Sequence, residues 1–231
     1  MDRYSKIVEK QAREIVLLRG TGCACPSCAF CDYHDDKCAD ETANFQLNKS
    51  VLDAVTGEFG ELEVINSGSV FELDSQTLAY IRDVCYQRGI SVVHFESHYI
   101  FRERIPALRS FFEGIDVKMK IGIETFDFEF REQVLNKGID ESAPELICAA
   151  FQEGNFLFGI SGQTRASMER DIQLGLRYLE RICINIMCKN TTSITPDEKV
   201  IRCFVEEIMP QYADDPRVDI LISNTDFGVG D

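Results

Sequence analysis

Short apolar segments alternate with amphipathic segments along almost the whole chain. The apolar segments are rich in Val, Ile and Phe, which is typical of buried strands. The pattern predicts seven strands, at residues 15–18, 62–66, 91–95, 118–123, 156–160, 182–187 and 218–222. Helical periodicity predicts seven helices between them, at residues 49–59, 75–88, 102–112, 129–137, 143–153, 166–180 and 197–209.

This alternation predicts the fold class. Asp74 is suited to begin a helix as its N-cap, and Gly89, Gly114 and Gly154 are suited to end helices. Strands that alternate with helices indicate βαβ units and a parallel sheet. We therefore expect an α/β fold, a partial (β/α)6–7 TIM-like barrel in a single domain spanning residues 1–231. An open doubly wound sheet is the alternative, but its Gly-x-Gly-x-x-Gly turn is missing after the first strand.

Charge and hydropathy limit the classes of partner. The net charge is −15 and the sequence pI is about 4.7, which disfavours a nucleic-acid partner because such binding normally requires a basic surface. Arg102, Arg104 and Arg109 form either a local basic patch or a solvated helix face. No apolar run approaches the roughly 20 residues that span a bilayer, and the charged residues 1–13 have a helical pattern unlike a signal peptide. We expect a cytoplasmic protein without a membrane partner.

Four of the ten cysteines lie within residues 23–31, directly after the first predicted strand. Thiolates this close together are typical ligands of zinc or of an iron–sulfur cluster. A zinc knuckle that includes His34 is one alternative, and Cys38 is a candidate additional ligand. The other cysteines lie in apolar contexts, where small buried side chains are expected in a reducing compartment.

The cysteine segment resembles the radical S-adenosylmethionine (SAM) superfamily, because it ends in Cys28-Ala-Phe-Cys31 after a first strand. It is most similar to the subfamily that includes the radical SAM subunit of archaeosine synthase. The usual superfamily spacing is Cys-x3-Cys-x2-Cys, and Ala24 stands where the first cysteine would fall. The resemblance implies a [4Fe–4S] cluster on Cys23, Cys28 and Cys31, with Cys25 as the alternative first ligand.

Further segments match the same subfamily in order. Residues 65–69 read Ile-Asn-Ser-Gly-Ser, and residues 122–125 read Gly-Ile-Glu-Thr. The resemblance implies that these strand ends bind SAM, with Glu124 on the ribose and Arg131 on the carboxylate; a surface pair between Arg131 and Asp127 is equally consistent with the sequence. The implied cofactor-binding residues are Phe30, Asn66, Ser67, Gly68, Ser69, Glu124, Arg131, Gly162 and Gln163.

Polar residues at or just after other strand ends are candidates for contact with the substrate. In α/β barrels, such positions form the active site. Glu72 and Glu96 are the candidate catalytic residues, and His98 fits equally well a loop histidine bound to the backbone. The candidate substrate residues are Glu72, Glu96, His98, Asn185 and Asp226.

The resemblance also implies a reaction. In its small size and acidic composition, the chain is most similar to queuine lyase. That radical SAM enzyme cleaves the 7-deazaguanine base queuine to 7-aminomethyl-7-deazaguanine in queuosine salvage. It implies [4Fe–4S] and SAM cofactors, a small-molecule substrate, and an external one-electron donor such as flavodoxin or ferredoxin. The alternatives are another radical SAM reaction on a small metabolite, or a zinc or iron–sulfur module without catalytic activity.

Overall fold

The computed structural model describes residues 3–222, which form two compact units. The first unit contains residues 3–26 and 33–120, and the second contains residues 27–32 and 121–222. The chain therefore enters the second unit for six residues, Ser27–Asp32, in the middle of the cysteine segment. The prediction of one domain stays a prediction.

The sheet of the first unit begins with an antiparallel pair. Strand β1 (Tyr4–Ile7) pairs antiparallel with β2 (Arg13–Leu18), and β2, β3 (Glu61–Asn66) and β4 (Val92–Ser97) pair in parallel in that order. Strand β5 (Asp116–Glu124) begins in the first unit and ends in the second. All six residues of β2 are buried, which explains its clear apolar signal in the sequence.

Helices and short helical turns connect the strands of the first unit. The α-helices are α1 (Glu41–Leu52), α2 (Ser75–Arg88) and α3 (Ile105–Phe111). Three 3₁₀ turns, Tyr33–Asp35, Val70–Glu72 and Tyr99–Arg104, lie between these elements. The second and third of these turns follow β3 and β4, so they occupy the strand ends at which the sequence predicts chemistry.

The second unit continues the alternation. Its strands β6 (Glu153–Phe158), β7 (Arg181–Ile186) and β8 (Val218–Leu221) are parallel and pair in that order. Its α-helices are α4 (Pro144–Cys148), α5 (Arg165–Tyr178), α6 (Glu198–Cys203) and α7 (Met209–Tyr212). Two π-helical turns, Phe130–Val134 and Phe204–Ile208, complete it.

The structure confirms all seven predicted strands and adds an eighth. The prediction of a helical pattern over residues 1–13 is wrong, because Tyr4–Ile7 is a strand. Its side chains are half-buried or exposed, as is common at a sheet edge, and the interspersed charges hide the period of two.

Several predicted helix bounds also need correction. The predicted helix 49–59 is replaced by Glu41–Leu52, because Asp40 accepts the backbone N–H groups of Thr42 and Ala43 as N-cap. Gly154 lies inside β6 and ends no helix. In contrast, helix 75–88 is confirmed with both caps: Asp74 accepts the N–H of Thr77 at 2.7 Å, and Gly89 adopts a left-handed φ of 68°.

Buried aliphatic and aromatic side chains of the strands form the core of each unit. In the first unit Phe95 and Phe112 are fully buried, with ring centroids 5.2 Å apart. In the second unit Phe156, Phe158 and Phe204 are fully buried and contact one another in sequence. Within residues 3–222, no helix is both long enough and apolar enough to cross a bilayer.

Candidate active site

The turn after β3 carries two buried polar atoms that lack a partner. The amide nitrogen of Asn66 donates to the carbonyl of Ser69 at 3.1 Å, which points its Oδ1 away from that bond. Among residues 3–222, neither Asn66 Oδ1 nor Ser67 Oγ has a hydrogen-bond partner. A buried acceptor without a donor costs about 1–3 kcal/mol. Two such atoms side by side therefore indicate that a ligand with N–H or O–H groups binds here.

Glu72 links this turn to the first part of the cysteine segment. One of its carboxylate oxygens accepts the backbone N–H of Ala24, and the other accepts the backbone N–H of Ser69 at 2.5 Å. A Cβ on Gly68 would collide with the same carboxylate, so a larger residue at this position requires the Glu72 side chain to move. Burial raises the pKa of Glu72, although these two N–H groups and Arg104 act in the opposite direction. As placed, Glu72 positions the turn, and its contact with a substrate stays a prediction.

His98 approaches the same cysteine segment from the end of β4. Its Nδ1 accepts the N–H of Ile100 at 3.2 Å and lies 3.8 Å from Cys25 Sγ. Its backbone N–H donates to Ser69 Oγ at 2.9 Å. The alternative of a loop histidine bound to the backbone is thereby confirmed, and substrate contact by His98 stays a prediction. Glu96 is half-buried in β4.

The second part of the cysteine segment, Ser27–Asp32, is anchored inside the second unit. The N–H of Ala29 donates to the carbonyl of Leu135 at 2.9 Å. The side-chain amide of Asn136 donates to the carbonyl of Ser27 at 2.8 Å, and the side-chain amide of Asn190 donates to the carbonyl of Phe30 at 2.7 Å. Thr191 donates from both its N–H and its Oγ1 to Asp32 at 3.1 Å. None of these anchors was predicted from the sequence.

Phe30 covers an apolar cluster at the strand ends of the second unit. The cluster consists of the buried side chains Leu135, Leu157, Ile160 and Met187. The ammonium of Lys137 lies 5.4 Å from the centroid of the Phe30 ring on a face that can form a cation–π contact. The backbone and the ring of Phe30 are therefore both fixed, as its predicted packing beside adenine requires.

Glu124 and Lys137 form a buried ion pair beside this segment. Lys137 Nζ donates to Glu124 Oε1 at 2.7 Å, and both side chains are about nine-tenths buried. Burial lowers the pKa of Lys137, but the charges of Glu124, Cys28 and Cys31 outweigh burial and raise it above its ordinary value. Lys137 is therefore a permanent cation close to two predicted cluster ligands. No separate role for Lys137 was predicted from the sequence.

Glu124 has a strained backbone. Its φ is +66°, and the N–H of Thr125 donates to the carbonyl of Ile123 at 2.8 Å, which is the pattern of a γ-turn with positive φ. Such strain costs roughly 1–3 kcal/mol and is concentrated at functional sites. Two hydrogen bonds to Asp171 stabilise the turn and offset this strain. The Asp171 carboxylate accepts from Thr125 Oγ1 at 2.6 Å and from the N–H of Phe126 at 3.0 Å. Burial raises the pKa of Asp171 to about 6.

Arg131 is buried within its own loop. Its side chain is fully buried, and its guanidinium donates to the carbonyls of Thr125, Ile139 and Glu141 and to the carboxylate of Glu132. These contacts hold residues 125–141 together, and binding of the SAM carboxylate by Arg131 stays a prediction. The alternative of a surface pair with Asp127 is wrong, because the Arg131 side chain is not at the surface.

Gly162 lines a cleft and Gln163 supports it. Together with Thr125, Phe130 and Arg170 they border a space of about 400 Å³ in the second unit. Gln163 accepts the N–H of Ile160 at 2.9 Å and donates to the carbonyl of Leu157 at 2.8 Å, so its amide shapes the end of β6.

The remaining predicted residues give less information. Asn185 is half-buried in β7, and its amide is 3.5 Å from the carbonyl of Phe156. Asp226 lies outside the described residues.

Of the scattered cysteines, Cys85, Cys148 and Cys183 are buried as expected, and burial raises the pKa of Cys85 and Cys148 to about 12. The prediction is wrong for three that are only half-buried, Cys38, Cys188 and Cys203.

The residues present are chemically suited to the implied cofactors. Among residues 3–222, no three His, Cys, Asp or Glu side chains already form a metal site. The thiols are nevertheless soft ligands on a loop, and the buried cation of Lys137 suits a cluster with an anionic ligand set. The open acceptors Asn66 Oδ1 and Ser67 Oγ suit an ammonium group such as that of SAM.

Comparison with known proteins identifies the family. No protein-family model matches the chain, and no curated protein matches it. A solved structure of queuine lyase from Clostridium spiroforme, bound to SAM and queuine, matches 100% of this chain and 100% of its own, with a TM-score of 0.95 and 42% sequence identity. The chain belongs to the radical SAM queuine lyase family. The match also confirms the predicted α/β fold of the partial TIM-like barrel type.

Proposed function

We propose that this member of the queuine lyase family cleaves queuine to 7-aminomethyl-7-deazaguanine with a [4Fe–4S] cluster and SAM, in queuosine salvage. The observation that carries the proposal is the full-length match, at 42% identity, to a queuine lyase bound to SAM and queuine. When bound, cluster and SAM together supply a 5′-deoxyadenosyl radical that removes a hydrogen atom from the substrate.

The residues of the turn after β3 are proposed to hold the methionine end of SAM. Asn66 Oδ1 and Ser67 Oγ are the open acceptors, and the SAM ammonium offers the donors that they lack. Gly68 and Ser69 keep this turn in place through Glu72. Binding is favoured because it satisfies two buried atoms, each of which otherwise costs about 1–3 kcal/mol.

Glu124 is proposed to orient the ribose. Lys137 holds one of its carboxylate oxygens, and the strained turn fixes the direction of the side chain. A carboxylate held in this way accepts from ribose hydroxyls without losing further rotamer freedom. Phe30, which is anchored by Asn190, is proposed to pack beside the adenine, and Gly162 to lie in the same region.

Cys28 and Cys31 are proposed as two cluster ligands, with Cys23 as the third and Cys25 as its alternative. Glu96 and Glu72 are proposed as catalytic residues, and Glu72, Glu96, His98, Asn185 and Asp226 as substrate contacts. Carboxylates suit the N–H donors of a guanine-like base.

The proposed setting is the cytoplasm, with an external one-electron donor and no nucleic-acid partner. All ten cysteines lie within the described residues and none forms a disulfide, which fits a reducing compartment. The net charge of −15 disfavours binding to a polyanion.

The test is anaerobic turnover of the reconstituted enzyme. Reduced enzyme, SAM and queuine are expected to give 5′-deoxyadenosine and 7-aminomethyl-7-deazaguanine, and omission of queuine is expected to lower the rate. Formation of 5′-deoxyadenosine without 7-aminomethyl-7-deazaguanine would favour another small-metabolite substrate. Absence of both products, in a protein that carries zinc, would contradict the radical SAM assignment.

A further inference from the structure

A basic surface interrupts this acidic protein. Residues 99–109, which we call the arginine segment, contain three arginines (Arg102, Arg104 and Arg109) and one acid (Glu103), whereas the whole chain has a net charge of −15. The segment consists of the 3₁₀ turn Tyr99–Arg104 and the first part of α3. The queuine cleavage proposed above does not use these charges.

The arginine segment begins beside the first part of the cysteine segment. His98, directly before it, lies 3.8 Å from Cys25 Sγ through its Nδ1. Arg104 stacks 4.6 Å above the ring of Phe71, the neighbour of Glu72, whose carboxylate accepts the N–H of Ala24. A protein bound to the arginine segment would therefore lie next to residues 23–26.

Aromatic rings hold two of the arginines in fixed positions. The guanidinium of Arg104 lies over both Phe71 and Phe101, whose ring centroids are 5.4 Å apart. The guanidinium of Arg102 lies 4.2 Å above the ring of Tyr99. A stacked guanidinium loses less conformational entropy when it binds a carboxylate than a free side chain does. These cations are consequently preorganised for an acidic partner.

Acidic residues form no close ion pair with Arg102 or Arg104 within the described residues, although the charge of Arg104 acts against burial, which raises the pKa of Glu72. The contact of Arg102 with Glu103 is long, at 3.6 Å, and the Glu103 side chain is 86% exposed. In the part of the chain that the structure describes, Arg104 forms no ion pair. Ile100, in the same 3₁₀ turn, is 43% exposed and supplies an apolar surface. A small apolar centre with a charged rim is typical of transient redox interfaces.

We propose that the arginine segment is the docking surface for a small acidic one-electron carrier protein of the flavodoxin or ferredoxin type. The inference rests on the proposed function, which needs an external reductant. The carrier loses one electron and the cluster gains it, and no proton or chemical group is transferred. The segment is suited to this partner because electron transfer requires proximity to the cysteines, and charge complementarity speeds the encounter.

The first test is binding, measured by titration calorimetry with oxidised flavodoxin and the reconstituted enzyme at low salt. The variant R102E/R104E is expected to weaken the affinity at least tenfold, and R102Q/R104Q to have an intermediate effect. The wild-type affinity is expected to fall as salt is raised. The matched control is R177E, because Arg177 is also exposed and stacked, 5.2 Å from the Tyr178 ring, but lies on α5 in the second unit. Its affinity is expected to stay within twofold of wild type.

The second test separates docking from catalysis. With dithionite as the reductant, the single variant R102E is expected to form 5′-deoxyadenosine at the wild-type rate, and with reduced flavodoxin at least threefold more slowly. Equal affinities of the wild type and R102E/R104E, or no binding of flavodoxin or ferredoxin to the wild type, would overturn the proposal. If dithionite yields no 5′-deoxyadenosine with the wild type, the proposed function fails, and the calorimetric result still decides the docking surface.

Discussion

The two parts of the cysteine segment are held in different ways. Residues 23–26, in the first unit, are held by the carboxylate of Glu72 on Ala24 N–H and by the long contact between Cys25 and His98. Ser27–Asp32, in the second unit, is held by hydrogen bonds from the neutral side chains of Asn136, Asn190 and Thr191 and from its own Ala29 N–H.

This difference bears on the choice of cluster ligands. Three of the anchors of Ser27–Asp32 join uncharged groups, since the amides of Asn136 and Asn190 and the N–H of Ala29 each bind a backbone carbonyl. These three do not depend on pH, and they hold the backbone on both sides of Cys28. The anchor of residues 23–26 depends on the ionisation of Glu72, whose pKa is raised by burial. Both thiols of residues 23–26, Cys23 and Cys25, stay candidates for the first ligand.

Serine substitutions of the four clustered cysteines should show the largest effect. We expect C28S and C31S each to lose the cluster and all formation of 5′-deoxyadenosine, because each removes one of three ligands. Of C23S and C25S, one is expected to behave in the same way and the other to keep the cluster. The measurements are iron and sulfide content and the 5′-deoxyadenosine yield after reconstitution. C203S is the control, and an intact cluster in C28S would contradict the assignment.

Removing the charge of Lys137 tests the second unit, which contains Ser27–Asp32. K137M leaves Glu124 buried without its cation, and we expect a loss of about 3–5 kcal/mol in the free energy of unfolding. The double variant E124Q/K137M should recover part of this loss. The matched control is K49M, because the pair of Lys49 with Asp53 has a similar length, 2.8 Å, but is exposed to solvent, so its loss should have a much smaller effect. Equal losses in K137M and K49M would show that the pair is not buried in solution.

Asp171 should give the second unit a pH dependence. Its pKa of about 6 lies above the ordinary 3.8, so the folded state binds the proton more tightly than the unfolded state. Stability from this group is therefore present at low pH and is lost as pH rises through that window. Between about pH 4 and about pH 7, wild type should lose up to roughly 3 kcal/mol relative to D171N.

Denaturant unfolding across this pH range provides the measurement for Asp171. D127N is the control with the opposite pH dependence. The N–H of Phe130 lowers the pKa of Asp127, so the stability that Asp127 contributes is lost as pH falls. A pH-independent difference between wild type and D171N would contradict the prediction.

Glu72 should give the smallest effect, local to its two backbone partners. E72Q leaves one of the two backbone N–H donors, on Ala24 or Ser69, without an acceptor, and we expect a local loss of about 1 kcal/mol. Amide hydrogen exchange should then be faster at Ala24 or at Ser69, and unchanged at Ala29. Faster exchange at Ala29 as well would show that the two parts of the cysteine segment are not held independently.

The sequence predicted most of the fold because the strands are buried on both faces. Strand β2, for example, is apolar enough to be recognised without its neighbours. The edge strand Tyr4–Ile7 was missed because half of its surface meets solvent and its pattern is mixed. The π-turn at Phe130–Val134 was predicted as part of a helix, since its side-chain pattern differs little from that of an α-helix.

The candidate site was predictable only where a residue belongs to a motif. Asn66 and Ser67 have the open acceptors that their motif implies. The contact of Asn190 with Phe30 and that of Lys137 with Glu124 could not be predicted, because each joins residues that are distant in sequence. Arg131 shows the opposite case, a motif residue whose contacts are with its own loop.

The close packing of Gly68 against Glu72 has a consequence for the evolution of the family. The carboxylate occupies the space that a side chain at position 68 would need. The two positions should therefore be coupled: a side chain at position 68 displaces the Glu72 carboxylate from the N–H of Ser69, and a shorter residue at position 72 removes that conflict, although the carbonyl of Gly22 stays close. A library randomised at both positions should return the same correlation among its folded members.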